Sequence, residues 1–204
     1  PYAEEDLIEL LKQCKLLIRP YCRINRLMRD IPAQYIVAGT TKSNLRQIIQ
    51  QRMAKEGLRC QCIRCREVRG KVKADFDHVS LDVVSYTTDA TQEHFLQYLT
   101  PGGYLAGFLR LSLPHAPRDE LTIPEIRAAA MIREVHVYGP AQALGARGRG
   151  GQHRGLGTEL LETAAEMACD AGFDELAVIA AVGTRRYYRE RGFTEGTLYP
   201  IQPL

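Results

Sequence analysis

The sequence predicts an α/β protein, and three observations carry the prediction. After residue 74 the apolar residues come in alternating stretches that read as strands: VSLDVVSY at 79–86, GGYLAGFLRLSL at 102–113, AAMIREVHVYG at 129–139 and ELAVIAAVG at 175–183. Between the last two, leucines and alanines recur at helical spacing, which predicts a helix over 158–171. Before residue 74 the pattern is more helical and the charge strongly basic, so the chain changes character near that point.

In chain order, PYAEEDLIELLKQC opens an amphipathic helix over 3–17. YCRINRL (21–27) predicts a strand, and 43–56 a helix with Ser43 as its N-cap and Gly57 as its stop. This basic stretch, 1–58, leads into a cysteine-rich linker, 59–73, and then the strand-rich domain, 74–204. Ahead of the 158–171 helix lies PAQALGARGRGGQ, polar and glycine-rich; a loop of that length usually serves function or motion.

With 45% hydrophobic and 25% charged residues in 204, the chain can bury a real core. It has no run approaching the roughly 18–20 apolar residues of a membrane helix and no secretion leader, which predicts a cytoplasmic setting with no membrane partner. Because it opens at Pro1 with a helix already under way, it reads as the C-terminal piece of something longer. The net charge of +3 conceals an asymmetry: residues 10–73 hold sixteen Lys or Arg against three acids, a balance of +13, while residues 74–204 sum to −6. A module carrying Arg23, Arg26, Arg29, Lys42, Arg46, Arg52, Arg64 and Arg66 suits a polyanion, because each phosphate contact releases condensed counterions. A solvated surface, or an interface with an acidic neighbour, is the alternative.

The linker contains RCQCIRCREVRG, with Cys60, Cys62 and Cys65 too crowded for ordinary mutual disulfides. Thiolates suit zinc, which takes four ligands, so C-x-C-x-x-C would be a three-legged site completed by Cys22, His78, a carboxylate or water. Three unrelated thiols in a loop is the other reading. No fourth cysteine is spaced for an iron–sulfur cluster, and Cys14 and Cys169 read as core residues of helices.

GQHRGLG (151–157) places three glycines before a helix. The first amides of a helix lack intrahelical acceptors and sit at the positive end of its dipole, so they bind phosphate where no side chain obstructs. Strand, loop, Q-H-R-G-L-G, helix, strand and GTRRYYRERGF, in that order, resemble the GNAT acetyltransferase superfamily, which implies a mixed, mostly antiparallel sheet. Gln152, Arg154, Gly155 and Gly157 match its motif for the acetyl-CoA pyrophosphate. The same resemblance implies that the preceding strand splays from its neighbour and offers backbone to the acyl-pantetheine arm along Val135, His136 and Val137. His136 and Glu134, taken to lie on opposite faces, are candidate bases, although a strand tolerates such residues without catalysis. Thr184 is positioned to cap the last helix, and Tyr187 and Tyr188 lie on its first turns. A phenol that stays protonated at neutral pH can donate to a departing thiolate; of the two, Tyr188 is the expected donor, with aromatic packing as the alternative for both.

REVHVYG, QHRGLG and GTRRYYRERGF, preceded by YCRINRLMRDIP and RCQCIRCREV, further resemble the family of the catalytic subunit of Elongator and the tRNA wobble-uridine acetyltransferases, over residues 14–204. The resemblance implies that Glu134, Val135, His136 and Val137, with Leu156, Gly157 and Thr158, line acetyl-CoA, that Tyr188 lies near the thioester, and that the cysteines hold a structural zinc. It implies that the basic segment ends a radical-SAM domain and contacts the tRNA anticodon stem-loop, and that the acetyl group becomes a carboxymethyl on carbon 5 of the wobble uridine. S-adenosylmethionine and a 4Fe–4S cluster would belong to an upstream radical domain, because none of the six cysteines has the family's cluster spacing. Other Elongator subunits or a second copy of the chain are the remaining expected partners. A lysine N-acetyltransferase and a non-enzymatic tRNA-binding module are the rival functions.

Overall fold

In the computed structural model, residues 1–28, 31–68, 75–115, 122–139 and 155–204 are described. They divide into two units, Pro1–Glu67 and Val68–Leu204.

The first unit is helical. Helix α1, Glu4–Leu16, begins with three acids in its first turn, which complement the positive end of its dipole. Helix α2, Leu45–Lys55, starts after Asn44 rather than Ser43, with no side-chain cap, and ends before Gly57, whose φ of 70° turns the chain away. Ile8 of α1 meets Leu45, Ile49 and Met53, the i, i+4 and i+8 face of α2, together with Cys60 and Cys62. A short helix α3, Ile63–Arg66, follows. The strand expected over 21–27 does not form. Its carbonyls are taken by other donors: Arg46 Nη2 reaches Ile24 O at 2.7 Å and Asn25 O at 3.1 Å, and the Ile63 amide reaches Cys22 O at 2.9 Å.

The second unit is built on a seven-stranded mixed sheet: β1 (Ser80–Thr87), β2 (Thr91–Leu99), β3 (Leu105–Pro114), β4 (Ala129–Val137), β5 (Glu175–Val178), β6 (Thr194–Glu195) and β7 (Pro200–Pro203), ordered β1-β2-β3-β4-β5-β7-β6. Every pair is antiparallel except β4 with β5. Strand β2 was not anticipated, because its polar residues interrupt both alternating faces. Inside the fold they are satisfied: the buried Glu93 accepts from Ser112 and Thr91 and pairs with Arg133 at 3.0 Å, while Gln97 donates to Asp82 at 2.7 Å.

Helix α4, Leu156–Asp170, covers one face of the sheet. Leu156, Leu160, Leu161, Ala164 and Ala168 repeat at three- and four-residue intervals and pack on Leu96, Leu109, Leu111, Ile132, Leu176 and Val178. Each fully buried leucine contributes roughly 1.5–3 kcal/mol relative to exposure. Cys169 falls between the buried positions and is exposed, as is Cys14 on α1, so neither is the core residue expected. Among the described residues no helix is long and apolar enough to cross a membrane.

Strands β4 and β5 pair only from Ala129 with Glu175 to Ile132 with Val178, and the last link is Ile179 N to Ile132 O at 3.0 Å. Strand β4 continues five residues further, to Val137, with β3 alone beside it. The strand expected over 175–183 thus stops at Val178, and the chain leaves the sheet towards helix α5, Arg185–Arg189. That parting opens the space between β4 and the α5 segment.

Candidate acyl-coenzyme cleft and cysteine cluster

A cavity of about 580 Å³ fills the gap where the two strands separate. Val135 and Val137 of β4 form one wall; Gly155, Gly157 and Thr158 at the start of α4 form a second; Thr184, Tyr187, Tyr188 and Arg191 complete it. Gln152 and Arg154 lie outside the described residues, as does the loop before them.

Two glycines shape the α4 end of the cleft for different reasons. Gly155 is the N-cap in the left-handed region, φ 81°, where a side chain would be strained. Its carbonyl accepts the amides of Thr158 and Glu159, while those of Leu156 and Gly157 have no acceptor among the described residues. Gly157 is a matter of space: a Cβ there would lie 2.5 Å from Tyr187 Oη. Tyr98 of β2 steadies the same turn by donating to Glu159 Oε2 at 2.7 Å.

On α5 the two tyrosines have different surroundings. Tyr188 is 6% exposed, set edge-on to Tyr187 and Phe193, and burial pushes its phenol up to about 12. It therefore remains a proton donor throughout the neutral range. Tyr187 is half-buried beneath the Arg191 guanidinium, whose Cζ stands 3.6 Å from the ring centroid. Arg191 also donates from Nε to Thr158 Oγ1 at 3.0 Å and from Nη1 to Tyr187 O at 2.8 Å, tying α5 to the first turn of α4. Arg191 was absent from the sequence expectations, although its i+4 relation to Tyr187 puts both on one helical face. Thr184 occupies the N-cap position of α5, but its hydroxyl donates back to Ala181 O at 2.9 Å rather than capping the helix.

Glu134 and His136 share one face of β4, correcting the expectation that they oppose each other: residues two apart point the same way. Their side chains turn from the α4 side, where Val135 and Val137 pack. Glu134 receives Arg110 Nε at 3.0 Å, and His136 lies nearly parallel to Phe108 and against Tyr138. Neither side chain lines the cavity.

In the first unit, the Sγ atoms of Cys60, Cys62 and Cys65 lie within 4.8 Å of one another. Tetrahedral zinc with bonds of about 2.3 Å spaces its sulfurs about 3.8 Å apart, so the cluster needs only slight contraction to accept a metal. Hydrogen bonds from Cys60 and Cys62 hold the Cys65 thiol far below the usual thiol range, and the reciprocal bonds push Cys60 up. Of the fourth ligands expected, Cys22 stands outside the cluster, and His78 belongs to the second unit, where its Nδ1 lies 2.7 Å from Asp75 Oδ2.

The basic residues of this unit are largely engaged internally. Arg66 is 3% exposed and donates to Gln61 O and Pro20 O at 2.7 and 2.9 Å. Arg46 serves the 24–25 carbonyls, Lys42 pairs with Glu4, Arg52 with Glu5, and Arg23 and Arg64 with Glu67. Arg26 is exposed, and Arg29 lies outside the described residues.

The Radical SAM C-terminal domain family matches residues 1–55. A tRNA uridine(34) acetyltransferase of Dehalococcoides mccartyi is 38% identical over 197 residues, covering 95% of this chain and 43% of that protein. Elongator complex protein 3 of Schizosaccharomyces pombe is 35% identical over 201 residues, covering 95% of this chain and 36% of its own. Among solved structures, the archaeal Methanocaldococcus infernus Elp3 with an N-terminal deletion (1–46) superposes with a TM-score of 0.86 at 34% identity, over 100% of this chain and 49% of that one. The chain thus spans less than half the length of these relatives.

Proposed function

Since the chain is homologous over nearly its whole length to the tRNA uridine(34) acetyltransferases and Elongator complex protein 3, we propose that it is the acetyl-CoA-binding part of a tRNA-modifying acetyltransferase. The observation that carries the proposal is the parting of β4 from β5 beside a glycine-opened helix start and a buried phenol. In this reading the pantetheine arm lies along Val135–Val137, where β4 is free of β5, and the diphosphate meets the amides of Leu156 and Gly157. Arg191, fixed over Tyr187, adds a cation at the same end of the cleft. As water adds to the thioester carbonyl and the C–S bond breaks, Tyr188 donates its proton to the coenzyme sulfur, so that CoA leaves as a thiol and the acetyl group as acetic acid, the proton released from the attacking water restoring the phenol.

The side chains of Glu134 and His136 are not assigned to this step, because they face away from the cleft; any part they play along the arm is through backbone. Cys60, Cys62 and Cys65 would hold zinc, whose contribution is to tie the 60–65 segment together as a structural ion. No residue of this chain is assigned to S-adenosylmethionine or to an iron–sulfur cluster. In the whole protein the substrate is the wobble uridine of tRNA; joining the acetyl methyl carbon to carbon 5 as a carboxymethyl group requires loss of hydrogen from that methyl and water at the carbonyl in place of CoA, and no residue of this chain is assigned to the hydrogen removal.

The test is release of free CoA from acetyl-CoA by the chain, with and without tRNA, over a salt series. Stimulation by tRNA that weakens steeply with salt is the expected result. Acetyl-CoA binding without any effect of tRNA would remove the RNA from the proposal, and failure to bind acetyl-CoA would remove the cleft.

A further inference from the structure

Lys15, in the last turn of α1, is 2% exposed, yet among the described residues no carboxylate pairs with it. Lys12, three residues earlier, shows the contrast, held between Glu9 and Glu56 at 2.9 and 2.7 Å. The Lys15 ammonium instead donates to Cys65 Sγ at 3.3 Å. Two further donors converge on that sulfur from successive turns of α2: Gln50 Nε2 at 3.2 Å and Arg46 Nη1, more distant, at 3.9 Å. A buried ammonium is strongly disfavoured without an anion beside it. Three thiolates around a divalent ion carry one net negative charge, which one ammonium neutralises.

We infer that Lys15 is the counter-ion built into the cysteine metal centre, with Gln50 and Arg46 completing a shell of N–H donors on Cys65. The inference rests on reading Cys60, Cys62 and Cys65 as metal ligands. Lys15 is a positioning residue: it touches a ligand atom and acts on the metal through it. Donors to a ligating sulfur draw electron density from it and fix its direction, and such outer partners tune metal affinity. All three converge on Cys65, so Cys65 should be the sulfur whose bond to the metal depends most on its surroundings.

The test uses the full chain and zinc itself, with affinity read by competition against a chromophoric chelator. Lys15→Gln and Lys15→Met remove the charge, Lys15→Arg keeps it, and two neutral variants guard against one failing to fold. Both neutral variants are expected to weaken zinc by about 10- to 100-fold, with Lys15→Arg staying within a few-fold of the native chain. In the cobalt-substituted protein, the sulfur-to-metal charge-transfer band should move to lower energy in Lys15→Met and Gln50→Leu, because each loses a donor to sulfur. Native affinity in both neutral variants would overturn the inference, and so would an equal loss in Lys15→Arg, which would point to packing rather than charge. A native chain that takes up no zinc would instead overturn the metal centre on which the inference rests.

Discussion

Tyr188 and Tyr187 are neighbours in sequence but differ in kind once folded. Burial among Tyr187, Phe193 and the α4 core raises the Tyr188 phenol to about 12, whereas Tyr187 lies half-buried under a guanidinium. A general acid must hold its proton until the leaving group needs it, and a phenol disfavoured as an anion does so at every neutral pH. Tyr188→Phe is therefore expected to slow thioester cleavage by about 10²-fold or more, with the acetyl-CoA dissociation constant changed less than about twofold. The sign of the pH dependence follows. The native chain keeps its acid form until the pH approaches 12, so cleavage should show no alkaline fall belonging to this group below about pH 11. A fall centred near 10, lost in the phenylalanine variant, would show a phenol exposed to water and would remove the buried-donor argument.

Among the elements, the helix that forms the cleft was legible because its signal is local. Leucine and alanine spacing sets the buried face of α4, and glycines mark its start. The glycine-to-phenol approach was not legible, since Tyr187 lies thirty residues further along and no periodicity reports a contact between two helices. Likewise β2 is not legible in the sequence, because its polar residues are satisfied by β1, β3 and β4, partners that exist only after folding. The 21–27 segment failed in the opposite sense: it has strand-like composition, but guanidinium and amide donors, not a neighbouring strand, take its carbonyls. The contact between α4 and α5 has a specific consequence. In Gly157→Ala the new methyl meets Tyr187 Oη, which the Arg191 guanidinium over the ring and the edge-on Tyr188 hold in place, and overpacking of this kind costs about 1–3 kcal/mol. Acetyl-CoA affinity should fall about tenfold as the α4 terminus is displaced. Tyr187→Phe removes the clashing oxygen, leaving the nearest ring carbon at an ordinary 3.6 Å, so the double variant should recover affinity. Additive losses, read by calorimetric titration, would show that the phenol does not set the width of the cleft.

Across the whole chain the basic excess of residues 10–73 divides into charges that hold the fold and charges that face solvent. The sequence shows the excess but not the division, because a guanidinium serving a carbonyl looks the same in one dimension as one offered to phosphate. Arg66 belongs to the fold, buried with its donors spent on Pro20 and Gln61, and Arg46 is tied to the 24–25 backbone. Were all sixteen basic residues to meet RNA phosphates, the logarithm of tRNA affinity would fall with the logarithm of salt at a slope of about −11 to −14. Internal engagement of eight of them predicts a slope about half as steep. The two classes separate by substitution. Arg66→Ala should lower the melting temperature, since it strands buried carbonyls, while leaving the salt slope of the folded protein unchanged. Arg26→Ala, at an exposed position, should reduce the slope by about one. A slope that drops for Arg66→Ala and not for Arg26→Ala would place the RNA-binding charge elsewhere than on the exposed part of this unit.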